Sequence, residues 1–330
     1  MRIGFSPNRW KKTEYKPLRV TVAVLVYAPN FTGYYKHCFD VIRICLESIQ
    51  RHTNIPHELL VFDNGSCEEV SGYLINLNRS GQIGYLIRSE RNIGKIGAWQ
   101  TIFHTAMGEV IAYCDGDVFV TPGWLEEQLK ILDTFPDAGM VSGWAIRDRF
   151  RDLNQDTDVL IKKFPDIKIS FDQVPRDEWE MDFALHTGRN IGAYLTEMKH
   201  VKTPSATYKN ITAYLCATHF QFIGFKNVLV QALPEKWSGD LMGQMVEYDQ
   251  KIQKLGYYHL STVNRHVRHM GNMVPDDLAD FLGAEAAYAK NHFKKKNRFI
   301  FKLLKRICEV RLVRRILNYI SDRIFWILHS

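Results

Sequence analysis

The chain has 330 residues, of which 46% are hydrophobic, 12% aromatic and 24% charged; this globular composition excludes disordered, collagenous and low-complexity classes and supplies core for one large domain or two ordinary ones. The formal charge of +7 is unevenly placed: residues 290–330 hold 12 Lys and Arg against two acids, a net +10, which leaves 31 Lys and Arg against 34 acids, or −3, in residues 1–289. A slightly acidic body speaks against a nucleic-acid binder and makes the tail a separate electrostatic object.

Met1 to Pro17 carries charges but no apolar h-region, so no signal peptide is expected. No run of about 18 uncharged apolar residues occurs, so no membrane span is expected. The six cysteines, Cys38, Cys45, Cys67, Cys114, Cys216 and Cys308, form no C-x-x-C pair; they read as reduced small hydrophobes of a cytoplasmic protein.

Residues 20–143 alternate strand and helix signals. VTVAVLVY at 20–27 is a continuous apolar run, as a strand buried on both faces should be. Helical spacing follows over 40–51, then a strand at 57–62 that ends in the turn signal Asp63-Asn64-Gly65-Ser66. A strand at 84–88, a helix at 97–107 and a strand at 110–114 come next. Pro122 is placed to open a helix over 123–134, and a short strand at 139–142 closes the run. Such alternation predicts an α/β fold with a mostly parallel sheet and right-handed crossovers. Residues 145–210 are irregular and read as an insertion over the sheet. Residues 213–222 read as one strand, 241–255 as a helix stopped by Gly256, and 257–263 as a strand. Beyond the Lys294-Lys295-Lys296 run, Leu303, Ile307, Val310, Val313, Leu317, Ile320, Ile324 and Ile327 recur every three or four residues, flanked by basic residues.

The sharpest chemical signal is Asp115-Gly116-Asp117, directly after an apolar strand. Ligands of parallel α/β sheets sit at the carboxyl ends of strands. Two carboxylates two residues apart there suit Mg²⁺ or Mn²⁺ bridging to a diphosphate, and the glycine between them would let the backbone approach a ligand. Asp63 ends its strand in the same way and could accept hydrogen bonds from a base or ribose, or simply form the turn. Asn92-Ile93-Gly94-Lys95-Ile96-Gly97 is a glycine-bearing strand-to-helix junction that could take a nucleoside or phosphate, although it is neither a Walker loop nor G-x-G-x-x-G.

In order, VTVAVLVY, HELLVFDNGS, RNIGKIGAWQTIF and VIAYCDGDVFVTPGWLE resemble the nucleotide-binding half of family 2 glycosyltransferases of the GT-A fold. The likeness covers about residues 19–143 and returns weakly at about 237–271. It implies a GT-A domain over 1–289 (nucleotide-binding half 19–143, acceptor-side half 144–289) followed by a basic amphipathic helical tail over 290–330. It also implies a nucleotide-diphosphate sugar donor and a divalent cation, Mn²⁺ or Mg²⁺. By the same resemblance Asp63 contacts the base, Asn92 and Gly94 line the donor pocket, Asp115 contacts the sugar nucleotide and Asp117 the metal.

The second half departs from the family pattern. A Glu-Asp pair is missing, although Gly256-Tyr257 closes the expected helix. Glu247 falls at a family acid position, Asp240 lies in a W-S-G-D stretch similar to a W-G-G-E version, and Asp249 is a third acid; any of them could take the acceptor proton. His269 sits where such enzymes often place a third metal ligand, with His266 as its rival. Arg265 and Arg268 could offset diphosphate charge.

The expected function is metal-dependent, inverting sugar transfer to a glycan or lipid-linked acceptor in cell-surface polysaccharide or glycolipid synthesis. The alternatives are a sugar-phosphate nucleotidylyltransferase, whose glycine- and arginine-rich loop is not matched by Tyr27-Ala28-Pro29-Asn30-Phe31, and a non-catalytic membrane-binding module. The tail, residues 295–330, would lie on an anionic membrane at the cytoplasmic face, or pack on the body or on the second copy in a homodimer.

Overall fold

The computed structural model describes residue 6 and residues 8–153, 155–171 and 175–281. The sheet-bearing compact unit is Met1–Asp276; of the second, Asp277–Ser330, residues 277–281 are described. The tail stripe lies outside the described residues. Among those described, no helix is long and apolar enough to cross a membrane.

The elements run β1 (Val20–Val26), α1 (Cys38–His52), β2 (His57–Asn64), α2 (Glu68–Arg79), β3 (Tyr85–Ser89), α3 (Gly94–Thr105), β4 (Val110–Asp115), β5 (Val118–Val120), α4 (Trp124–Thr134) and β6 (Ala138–Ser142). Then come α5 (Arg147–Leu153), α6 (Thr157–Lys163), β7 (Lys168–Ser170), α7 (Asp177–His186), α8 (Ile191–Met198), β8 (Ser205–Tyr208), β9 (Ile211–Tyr214), β10 (Gln221–Phe225), α9 (Lys226–Ala232), α10 (Met245–Lys254), β11 (Tyr258–Thr262) and β12 (Val267–His269).

Ten strands form one mixed sheet in the order β3-β2-β1-β4-β10-β6-β11-β9-β8-β7, and seven of them point the same way. The expected parallel block is β3-β2-β1-β4. β1 lies at its centre with Val20, Val22, Ala23, Val24 and Val26 fully buried, which is why its sequence is apolar without alternation. β10 runs antiparallel between β4 and β6.

The run 213–222 is not one strand. β9 ends at Tyr214 and pairs with β11, whereas β10 starts at Gln221 and pairs with β4. The residues between are buried as well, apart from the half-buried His219, and apolarity alone does not separate a strand from a buried crossing segment. The helix expected over 241–255 starts at Met245, because Gln244 is left-handed with φ 63°. Pro122 precedes its helix rather than opening it: Gly123, with φ 86°, caps α4. The irregular stretch 145–210 contributes α5 to α8, and its β7 and β8 extend the main sheet.

α3 is apolar around most of its circumference, which marks a helix enclosed by other elements. Its Trp99 and Phe103 pack with Tyr113, Phe222 and Tyr248 from β4, β10 and α10. This aromatic cluster joins the α3 side of the sheet to the helices that follow β10, and its Tyr113 hydroxyl donates to Asp115, which lines the cleft described next.

Candidate active site

A cleft of about 410 Å³ opens at the carboxyl ends of β1, β2 and β4. Asp115, the last residue of β4, and Asp117 both line it. Gly116 between them is needed for packing rather than for approach to a ligand. Its N–H donates to the Leu25 carbonyl at 2.8 Å, and a Cβ there would lie 2.9 Å from that oxygen. β4 is thereby pressed onto β1 where the two carboxylates emerge.

β5 and β12 form a separate two-stranded antiparallel sheet in which His269 pairs with Val118. Met270 N–H donates to the Asp117 carbonyl at 2.8 Å. These backbone bonds bring His269 Nε2 to 3.2 Å from Asp117 Oδ2. Burial works against the charged imidazolium, yet the neighbouring Asp117 carboxylate carries the His269 pKa upward. Burial likewise opposes ionisation of Asp117, and His269 and Lys95 outweigh it, so its pKa falls. Asp117 Oδ1 and His269 Nδ1 are buried without a hydrogen-bond partner.

Asp115 is occupied differently. Lys95 Nζ lies 2.6 Å from its Oδ2, and the Tyr113 hydroxyl donates to its Oδ1. Burial raises the Asp115 pKa despite the ammonium beside it, with Asp117 adding to the rise. Among the described residues no three His, Cys, Asp or Glu side chains gather as a metal centre. The set Asp115, Asp117 and His269 is therefore divided: Asp115 belongs to Lys95 and Tyr113, and Asp117 belongs to His269. The residues still fit a divalent cation, because Asp117 keeps a bare buried oxygen next to an imidazole, and such ions commonly take few protein ligands and complete their shell with phosphate oxygens and water.

The strand-to-helix junction is less open than its glycines suggest. Ile93 N–H donates to Asn64 Oδ1 at 2.9 Å, Gly94 N–H to Asn92 Oδ1 at 2.8 Å, and Lys95 N–H to the Leu241 carbonyl at 2.8 Å. These donors at the start of α3 are spent on the protein, so they do not form a phosphate cradle. Asn92 lines the cleft, whereas Gly94, at φ +70°, lies under the 240–241 backbone, where a Cβ would meet the Asp240 carbonyl at 2.9 Å.

Asp63 is 1% exposed and does not line the cleft. Its oxygens accept from Ser66 N–H and the Ser71 hydroxyl, which is the turn-forming role; Asn64 reaches the cleft in its place. Asp240 is exposed and lies beside Leu241, which does line the cleft. Glu247 is exposed on α10 and is not part of the lining.

Asp249 is buried among Arg149 at 2.7 Å, His219 at 2.7 Å and His259 at 3.3 Å. Burial alone would raise its carboxyl, but the two histidines hold it far below the usual carboxylate range. Its low basicity and its place outside the cleft lining make it a poor candidate for taking the acceptor proton. Arg265 and Arg268 turn to Asp182 of α7, at 2.7 and 3.0 Å, and not to the cleft. His266 Nε2 lies 3.8 Å from Glu127.

Three features escaped the sequence reading. Lys95 is one of the six junction residues, but nothing local marks it as reaching Asp115. Tyr27, Tyr34 and Tyr35 form an edge-to-face wall of the cleft, with ring centroids 5.8 Å apart for Tyr27–Tyr35 and 5.2 Å for Tyr34–Tyr35. The aromatic cluster Tyr34-Tyr35 in the loop between the first strand and the first helix was the available signal. Cys38 also lines the cleft, but burial, with Asp117 adding to it, pushes its thiol up to about 11, so it is no nucleophile at neutral pH.

Residues 34–187 match the sequence model of glycosyl transferase family 2. Over those residues, just under half of the chain, the sequence is similar to family 2 glycosyltransferases. It is 32% identical over 91 residues to the uncharacterized glycosyltransferase YwdF of Bacillus subtilis (strain 168), a match over 27% of this chain and 32% of that protein. The chain thus spans about a third of that relative's length.

Two solved structures are similar at lower identity. GalNAc-T7 with UDP, GalNAc and Mn²⁺ is 16% identical, with a TM-score of 0.44 over 77% of this chain and 43% of that one. The mannosyltransferase PcManGT of Pyrobaculum calidifontis, in complex with GDP-Man and Mn²⁺, is 19% identical, with a TM-score of 0.43 over 75% of this chain and 55% of that one.

Proposed function

We propose that this domain transfers a sugar from a nucleotide-diphosphate donor to a hydroxyl of a glycan or lipid-linked acceptor, with a divalent cation bound in the cleft. The observation that carries this reading is the unpartnered, buried Asp117 Oδ1 beside His269 at the carboxyl end of the parallel block. Asp117 and His269 would hold the cation, which when bound would stabilise negative charge on the departing diphosphate.

The tyrosine wall offers aromatic faces and edges to the donor's ring systems, and Asn92 offers an amide at the floor. The acceptor oxygen bonds to the anomeric carbon as the bond from that carbon to the diphosphate oxygen breaks. That electron pair stays on the diphosphate, and the acceptor proton passes to a carboxylate. Asp240, adjacent to the cleft-lining Leu241, is our choice for that base over Glu247. A single displacement of this kind inverts the anomeric centre.

We further infer that the tail, residues 295–330, holds the protein on the cytoplasmic face of an anionic membrane. Its net positive charge and amphipathic spacing support this, and surface polysaccharide or glycolipid synthesis would follow from such a location.

Calorimetric titration of UDP, GDP and dTDP with and without Mn²⁺, on the wild type and Asp117→Ala, tests the donor reading. Metal-dependent binding of one nucleotide that disappears in the variant supports it. Absence of metal-dependent binding to all three overturns it.

A further inference from the structure

Lys95 is 7% exposed, an unusual place for an ammonium group. Its stem lies against the aromatic cluster, with Nζ 5.5 Å from the Trp99 ring centre and 5.7 Å from that of Tyr113. Its backbone N–H is fixed to the Leu241 carbonyl, so the first turn of α3 cannot slide away from the cleft. Burying an ammonium costs several kcal/mol unless it is paired and hydrogen-bonded.

Asp115 supplies one partner, at 2.6 Å, and among the described residues no second hydrogen bond to Nζ is seen. An ammonium has three donors. Two remain on a side chain that lines the cleft beside Asp117 and His269. Among the described residues no other Lys or Arg lines the cleft, Arg265 and Arg268 being held by Asp182, and the N–H groups of Ile93, Gly94 and Lys95 are already used.

From this geometry we propose that Lys95 is the fixed cation of a diphosphate subsite, donating its remaining hydrogen bonds to the phosphate oxygens while Asp115 holds it in place. The assignment rests on the cleft being the donor site. It gives the first aspartate of the Asp-Gly-Asp motif a positioning role, aiming an ammonium, and leaves cation binding to Asp117 and His269. The ammonium and the divalent ion would then both offset charge on the diphosphate, and part of the phosphate affinity would survive without metal.

Calorimetry with inorganic pyrophosphate in EDTA, and with Mn²⁺ alone, tests this on the wild type, Lys95→Arg, Lys95→Met and the double variant Lys95→Met/Asp115→Asn. The double variant removes both charges together and keeps the buried site neutral, so it guards against an unfolded single variant. The expected result is metal-free pyrophosphate binding that weakens by about tenfold or more in Lys95→Met and stays weak in the double variant. Lys95→Arg should retain part of it, and Mn²⁺ binding should persist in all four proteins.

If Lys95 merely neutralises Asp115, the double variant recovers wild-type pyrophosphate affinity, and the proposal is overturned. A wild type that binds UDP, GDP or dTDP with Mn²⁺, but whose metal-free pyrophosphate affinity is unmoved by both Met-bearing variants, overturns the Lys95 assignment and leaves the donor reading standing. A wild type that binds none of those nucleotides overturns the donor reading, and the Lys95 assignment with it.

Discussion

The Asn64 side chain donates to Asn92 Oδ1 at 3.0 Å and accepts from Ile93 N–H at 2.9 Å, tying the end of β2 to the entry of α3. One amide thus sets the floor of the cleft, because Asn92 in turn accepts from Gly94 N–H and fixes the first turn that carries Lys95. Asn64→Leu keeps the volume but leaves the half-buried Ile93 N–H without its partner. It should destabilise the fold by about 1–3 kcal/mol and weaken nucleotide binding at temperatures where the protein is still folded. Urea denaturation and UDP titration read the two effects separately.

Asp117 and His269 are expected to act as a unit. Asp117→Asn should lower Mn²⁺ affinity and transfer by at least about 100-fold with a small change in thermal midpoint. It should also lower the His269 pKa, because the carboxylate that raises it has gone. Imidazole proton shifts followed against pH by NMR check this without any substrate; an unchanged His269 titration would contradict the pairing.

Gly116→Ala probes the backbone contact beneath the motif. Its Cβ would lie 2.9 Å from the Leu25 carbonyl, and neither strand of the central pair can move without disturbing the core. A loss of about 1–3 kcal/mol is expected, together with reduced metal binding, since Asp115 and Asp117 shift with the backbone. A variant as stable as wild type and equally active would show that β1 and β4 yield at this point.

Glu180 supplies a pH test of stability. It is fully buried, accepts from Arg147 N–H at 3.0 Å and the Tyr194 hydroxyl at 2.8 Å, and burial lifts its pKa from the ordinary 4.5 to about 7 despite those hydrogen bonds. The folded protein therefore keeps a proton that the unfolded chain has already released. Its contribution is complete below about pH 4.5 and is lost as pH rises to about 7, a change on the order of 3 kcal/mol. Glu180→Gln removes the titration, so the stability difference between wild type and variant should move in the variant's favour over that window and level off above it. Denaturant midpoints at pH 4.5, at about pH 6 and at about pH 8 measure the difference.

Removal of residues 295–330 should release the protein from vesicles containing anionic lipid while leaving nucleotide titrations unchanged. Flotation at low and high salt separates the electrostatic share, which should fade as screening increases. Equal flotation of the shortened chain would place the anchor elsewhere.

The parallel block, the Asp-Gly-Asp motif at the end of β4 and the resemblance to family 2 glycosyltransferases were legible from local pattern, because buried parallel strands need continuous apolar runs and a motif is read along the chain. The antiparallel β10 and the break between β9 and β10 were not, since one apolar run can serve two different neighbours and only pairing distinguishes them. α2 and the helices of residues 145–210 also lacked a decisive pattern.

The sequence alone determined which chemistry is present: two carboxylates at a strand end, an imidazole near the end of the described chain and a charged tail. The tertiary structure decided how those groups are shared. Asp117 meets His269 across a gap of 152 residues because β5 and β12 pair, and Asp115 meets Lys95 because α3 packs over the aromatic cluster of the sheet. Side-chain partnership at a site depends on distances between elements remote in sequence, which periodicity and spacing along the chain do not encode.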